Sequence, residues 1–302
     1  MKQKRKGSRR TKQISAVAAA VILLLTGYAN LDDVAALLGQ SGQKIGSTVA
    51  EGEMKVTFLD VGQGDCTVIQ TQGHNAVIDV GNNDQGEKVV DFLRQSGIDS
   101  LDYLILTHPD ADHIGGGDNV LENIAVEAVI MPDVSNDTMT YDEVLEDIEA
   151  YDVEVIHPQV GDVFTLGDAE FTILCPEEEL VSQNDLNGSS VGVKLVHGED
   201  SFVMCGDAEE ESEHAMVRRF GDQLESDVLK CGHHGSSTAT SEEFLKAVDP
   251  TWAIISCGKD NSYGHPHWEV LDRLEDDDVQ IYRTDELGTI TAVSSGTSIK
   301  WN

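Results

Sequence analysis

His108, Asp110, Asp112 and His113 place four side chains able to hold a divalent ion within six residues, and Ile114-Gly115-Gly116-Gly117 follows directly. Imidazole nitrogens and carboxylate oxygens are the usual ligands of divalent transition metals, and their close alternation lets one loop reach two ions. A loop of this composition can also be a plain solvated turn. Here the apolar run Tyr103–Leu106 leads in and a glycine-rich turn leads out, which suits a ligand loop better. Further candidates lie downstream: Asp207 after the apolar run Phe202–Cys205, His233 and His234 ahead of Gly235-Ser236, and His265 and His267 on either side of Pro266. A centre with two divalent ions generates hydroxide near neutral pH and stabilises charge on entering and leaving oxygens, so the expected chemistry is hydrolysis. His265 and His267, in a loop before a helix, could bind a phosphoryl oxygen or protonate a leaving group. Other signals are weaker. Gly62-Gln63-Gly64 lacks the third glycine and helix start of a phosphate-binding turn, no nucleophile elbow surrounds Ser236-Ser237, and Lys230 reads as a solvent-exposed lysine at a strand edge.

Elements able to position these groups are legible around them. Lys55–Asp60, Thr67–Thr71 and Ala76–Val80, separated by glycines, suggest a strand meander. Glu87–Ser96 has helical spacing, and Tyr103–Leu106 is a buried strand that delivers the chain into the metal loop. Tyr141–Ala150, Glu209–Phe220, Ser241–Val248 and Trp268–Leu274 read as helices between further strands. Strands in both local and crossover order with helices outside them predict two sheets packed face to face. The folded domain is expected over 53–302, behind a linker over 30–52 rich in Gly, Ser and Gln.

The chain has 302 residues, of which 40% are hydrophobic, enough for a large core and against a disordered or fibrous class. Acidic residues outnumber basic ones 55 to 20, for a net charge of −35 that repels polyanions unless ions or a local basic patch offset it. The first twelve residues carry seven of the basic groups, and an uncharged apolar run from Ile14 to Leu25 follows. Residues 1–29 are therefore read as a signal peptide or, alternatively, an uncleaved N-terminal anchor, and the protein as secreted or extracytoplasmic. No stable membrane partner is expected beyond such an anchor. Five cysteines, an odd number each in or beside apolar sequence, predict buried free thiols in place of a disulfide framework.

The metal loop resembles the HxHxDH signature of metallo-β-lactamase-fold hydrolases, with Asp110 in place of the second histidine. Leu59-Asp-Val-Gly-Gln-Gly-Asp65, Val77-Ile-Asp-Val-Gly81, Gly206-Asp207-Ala208-Glu209, His233-His-Gly-Ser236 and Tyr263-Gly-His-Pro-His267 extend the likeness from about Met54 to Trp301. With them the chain is similar to the hydrolase domain of ComEC-type competence proteins. The resemblance implies an α/β fold, a four-layer αββα sandwich of the metallo-β-lactamase type. It implies His108 and Asp110 on one ion, Asp112 and His113 on the other, Asp207 between them, and His233 as the last ligand, with His234 the runner-up. Many members supply one more histidine between Val163 and Val203; His197 is a candidate, but the segment holding Asn187 and Ser190 looks more like the Asn/Ser stretch of competence-type members. The added oxygen ligands favour manganese beside zinc. Asp112 would also orient the nucleophile and His265 serve the leaving oxygen, with His234, His267, Asn187, Ser190, Asp65 and Asp79 supporting the site or meeting substrate. The implied substrate is a phosphodiester, DNA or a nucleotide-containing molecule, although no basic stripe is present to neutralise phosphates. A lactone, a β-lactam or a small phosphodiester on the same metal site is the alternative, and a non-catalytic binding module is a third reading.

Overall fold

The computed structural model describes residues 49–302, so the expected leader over 1–29 and most of the expected linker lie outside the described residues. The chain begins with three short strands, β1 (Met54–Phe58), β2 (Thr67–Gln70) and β3 (Asn75–Ile78), joined antiparallel as the expected meander. Helix α1 (Gly86–Gln95) then carries the chain over to β4 (Ser100–Ile105), parallel to β3. Two short helices follow, α2 (Ala111–Ile114) and α3 (Gly117–Asn123), and then β5 (Ala125–Ile130), α4 (Met139–Ala150) and β6 (Glu154–Ile156). Gly115 and Gly116 form the expected turn, between α2 and α3, and Gly117 opens α3. A side chain at Gly116 would collide with the Val80 carbonyl and with Gly86, so the glycines permit close helix packing.

The second half repeats the theme. Strands β7 (Val163–Leu166), β8 (Ala169–Cys175), β9 (Gly192–His197) and β10 (Asp200–Met204) are antiparallel neighbours, with the short helix α5 (Glu178–Ser182) between β8 and β9. Helix α6 (Glu210–Phe220) leads to β11 (Val228–Lys230), α7 (Glu242–Val248) to β12 (Trp252–Ile255), and α8 (Trp268–Asp276) to β13 (Gln280–Arg283). The chain closes with α9 (Thr284–Leu287), β14 (Ile290–Ser294) and β15 (Ile299–Trp301).

These strands form an eight-stranded sheet, in the order β15-β14-β1-β2-β3-β4-β5-β6, and a seven-stranded one, β13-β12-β11-β10-β9-β8-β7. Three apolar clusters fill the three interfaces of a four-layer sandwich. Phe58, Ile105, Phe171, Phe202 and Ile254 pack between the sheets. Val89, Leu93, Val120 and Val144 join α1, α3 and α4 to the first sheet, while Met216, Phe244, Leu245 and Leu274 join α6, α7 and α8 to the second. All five cysteines are buried free thiols. No helix among the described residues is long and apolar enough to cross a membrane.

The parallel stretches decide where chemistry can happen. In β3-β4-β5-β6 and in β10-β11-β12-β13 every strand points the same way, so the loops after them open at one end of the sandwich. Ligands in such sheets bind beyond the carboxyl ends of the strands. The metal loop follows β4, Asp207 follows β10, the two adjacent histidines follow β11, and the Tyr263–His267 loop follows β12.

Candidate metal centre

The centre is assembled by backbone turns that few residues adopt. Asp79, His233 and His234 have φ of 57°, 49° and 54°, left-handed values that cost non-glycine residues about 1–3 kcal/mol each and persist only where the surroundings enforce them. At 233 and 234 this turn replaces a regular continuation of β11. At Asp79 it lets a wholly buried carboxylate face the loop after β4.

Asp79 accepts hydrogen bonds from the Thr107 amide at 2.8 Å and hydroxyl at 2.7 Å, and its Oδ2 lies 2.7 Å from Nδ1 of His113. This fixes the His113 ring so that Nε2 points at Oδ1 of Asp207, 3.2 Å away. His234 is oriented in the same manner: Nδ1 lies 3.0 Å from the Ser256 carbonyl, and Nε2 faces Asp112 at 3.2 Å and Asp207 at 3.6 Å. Nε2 of His233 reaches the same Asp207 oxygen at 3.5 Å, while its Nδ1 lies 3.1 Å from Glu209. His108 packs against His113, with ring centroids 4.1 Å apart, and its Nε2 is 3.7 Å from Asp110. Ser190 Oγ accepts from the Asp207 amide and lies 3.4 Å from Nδ1 of His108.

Nε2 of His108, His113 and His234 and Oδ1 of Asp207 are buried without a hydrogen-bond partner. Leaving such atoms unsatisfied costs about 1–3 kcal/mol each, more for charged groups, and a group so left calls for a ligand. Asp65, His113, Asp207 and His234 each offer a ligand atom within 4.8 Å of the others, and nitrogen with carboxylate oxygen is a donor set for a divalent transition metal. The residues therefore fit a metal site. Burial would raise the Asp207 carboxyl, but the adjacent imidazoles of His113 and His234 hold it well below the usual carboxylate range. Burial would also lower His234, yet Asp207 and Asp65 outweigh it and raise that imidazole to about 10.

Of the residues singled out in the sequence, all but His197 lie in or beside this centre. His108, Asp110, Asp112, His113, Asp207, His233 and His234 lie in one continuous network, with the second of the paired histidines more buried than the first. Asp110 is also held by the Asn136 side chain. His265 lies beside both histidines, ring centroids 5.6 and 6.1 Å away, and burial with the neighbouring imidazoles lowers it to about 4, leaving it neutral at neutral pH. His267 is committed to the loop itself: Nδ1 accepts from the Ser237 amide and Nε2 meets the Tyr263 carbonyl. Asn187 contributes its backbone carbonyl to the turn that sets Ser190. His197 is not part of the network. Its ring lies at the far end of β9, bonded to Ser294 and near Asp168, because β9 runs antiparallel to β10 and ends away from the ligands.

Two expectations change. Lys230 is no exposed edge lysine: β11 lies between β10 and β12, and the ammonium is buried against the carboxylate of Asp65. Asp65, expected to support the site and not to bind metal, is close enough to be a ligand as well. The signal for Glu209 and Ser256 as partners of the histidines was absent from the sequence, since one is a carbonyl and the other an acidic helix start. Gly64 has φ of 145° and sits against the Asp112 carbonyl with no room for a Cβ. Gly64→Ala is thus expected to push the two loops apart and lower metal affinity while the far-ultraviolet circular dichroism stays native; unchanged metal titration would show that this contact is slack.

A sequence profile described as the metallo-beta-lactamase superfamily matches residues 59–259. ComE operon protein 3 of Bacillus subtilis is 36% identical over 259 residues, covering 80% of this chain and 33% of that protein. Competence protein ComA of Neisseria gonorrhoeae is 30% identical over 282 residues, covering 92% of this chain and 38% of its own length. The chain thus spans about a third of these curated relatives. Among solved structures, CmlA, a diiron beta-hydroxylase from Streptomyces venezuelae, superposes with a TM-score of 0.52 at 14% identity over 78% of this chain and 53% of that one, a likeness of fold alone.

Proposed function

Because the chain belongs to the metallo-β-lactamase superfamily, we propose that it is a metal-dependent phosphodiesterase working outside the cytoplasm on DNA or another nucleotide-containing substrate. The observation that carries the hydrolase reading is the convergence of the unpartnered Nε2 atoms of His113 and His234 on the Asp207 carboxylate, with the equally unpartnered Nε2 of His108 beside Asp110. In this reading His108 and Asp110 would hold one ion and Asp112 and His113 with His233 or His234 the other, with Asp207 available to both. Two divalent ions, manganese or zinc, would supply Lewis acidity and lower the pKa of water toward neutrality. Asp112, its carboxylate turned toward His234, orients the attacking water. His265, a neutral imidazole beside that pair, gives a hydrogen bond to the leaving oxygen. DNA as the substrate is supported by the competence proteins among the relatives, and export by the charged and apolar blocks ahead of residue 30.

The net charge of −35 favours a second reading, a small phosphodiester in place of a long polyanion. Metal analysis combined with assays on plasmid DNA, bis-p-nitrophenyl phosphate, a lactone and nitrocefin separates these. Metal-dependent cleavage of DNA is the expected result. Cleavage of the small diester alone supports the second reading, turnover of only the lactone or nitrocefin refutes the phosphodiesterase assignment, and a folded, metal-free, inert protein would make the domain a binding module.

A further inference from the structure

The most deeply buried lysine–carboxylate pair among the described residues lies beside the metal centre. Lys230 and Asp65 are each 3% exposed and in ionic contact, and Lys230 Nζ also donates to the Cys231 carbonyl at 3.3 Å. Lys230 has no open path to solvent, because its in-register neighbours Met204 and Ile254 belong to the core packed between the two sheets. The second oxygen of Asp65 faces Nδ1 of His234 at 3.4 Å. Across the centre Asp79, held by Thr107, meets Nδ1 of His113 at 2.7 Å; at His234 the Ser256 carbonyl takes the Nδ1 hydrogen bond, and Asp65 adds the longer ionic contact on the same side of the ring. Ligating histidines are commonly set by a carboxylate or carbonyl on the other ring nitrogen, and that partner must itself be held.

Asp65 is nonetheless one of four residues whose ligand atoms lie within 4.8 Å of one another, so proximity alone would let it bind an ion. An ammonium that is buried beside it and cannot leave competes for the same lone pairs. We propose that Lys230 is a positioning residue: it acts as a fixed internal cation that keeps Asp65 out of the coordination sphere and so reserves that carboxylate for aiming His234 at the ions. Removing the ammonium alone would leave a buried charge without a partner. The nearest available counter-cation is then the metal, and Asp65 turns toward it.

The inference rests on the centre taking up divalent ions, and the tests read binding and geometry, not turnover. In a manganese-loaded wild-type crystal, located by anomalous scattering, both Asp65 oxygens are expected beyond bonding distance of either ion and on the Lys230 side; an oxygen at about 2.0–2.2 Å from an ion overturns the proposal. In Lys230→Met, addition of manganese should raise the melting temperature by more than it does in wild type, because Asp65 joins the ligands; an equal rise counts against the role. The double variant Lys230→Met/Asp65→Leu removes both charges and covers the case in which the single variant does not fold. Its metal-free form should melt near wild type, since replacing a buried pair by apolar groups is often neutral. It should still bind manganese roughly 10–100-fold more weakly, the usual loss when a histidine's supporting carboxylate goes. Wild-type affinity in that variant would mean the pair only packs. Wild-type protein that takes up no ion sinks the proposed function and this role with it, whereas uptake with Asp65 as a ligand sinks this role alone.

Discussion

Asp207→Ala is expected to empty the centre, reducing bound metal from about two ions per chain to less than one and hydrolysis by about 10³-fold or more. Its carboxylate is the common neighbour of three imidazoles, at 3.2 Å from His113, 3.5 Å from His233 and 3.6 Å from His234. The imidazoles of His113 and His234 also hold it well below the usual carboxylate range against the effect of burial, so it is ionised at neutral pH. Without it, two dications would share the space with less negative charge between them. Several kcal/mol of transition-state stabilisation come from such ions, and each 1.36 kcal/mol is a factor of ten in rate. Elemental analysis of protein purified without chelators, beside initial rates on a phosphodiester, checks both halves. Full metal content and activity in this variant would dismiss the assigned bridge even if the family fold stands.

His265→Ala should behave in the opposite way, keeping the metal while the rate falls by about 10²–10³-fold, the range for a lost hydrogen-bond donor aimed at charge that develops in the transition state. The ring sits beside His233 and His234 but is fixed by its own loop, where Asn261 accepts from its amide and donates to its carbonyl. Its Nδ1 is buried with no hydrogen-bond partner, so removing the side chain breaks no internal bond of the centre. The loss should fall mainly on kcat, because the interaction with a leaving oxygen strengthens in the transition state. If metal content falls with the rate, His265 belongs among the ligands and the division of roles is wrong.

The contrast between these two residues follows how each became visible. His108 to His113 could be read directly because four ligand types are adjacent in the chain and an apolar strand precedes them. The first strands were legible for a similar reason: Lys55–Asp60, Thr67–Thr71 and Ala76–Val80 are short apolar runs punctuated by glycine, each within two residues of its observed bounds. Strand β7 was not, since only Phe164 and Leu166 of its four residues face the core and the apolar Val163 stands exposed, too short an alternation to read. The partners of the histidines were not legible either. Asp79 and His113 meet across 34 residues, and nothing local at either position announces the other.

The sequence by itself determined the fold class, the metal loop and the acid–imidazole character of the centre, because these depend on side-chain chemistry and on periodicities that act over a few residues. Only the tertiary structure decided which of those groups share a site and which merely resemble ligands. His197 and His234 are both histidines close to a strand end, but antiparallel β9 carries one away while the left-handed turn after parallel β11 brings the other in. Lys230 shows the same dependence in reverse. A lysine is ordinarily exposed, and only the insertion of β11 between two strands, with Asp65 arriving from the other sheet's loop, turns it into a buried cation. Such outcomes rest on contacts between segments far apart in the chain, whose strengths are set by burial and by the loss of water around charges, and neither quantity exists until the sheets have packed.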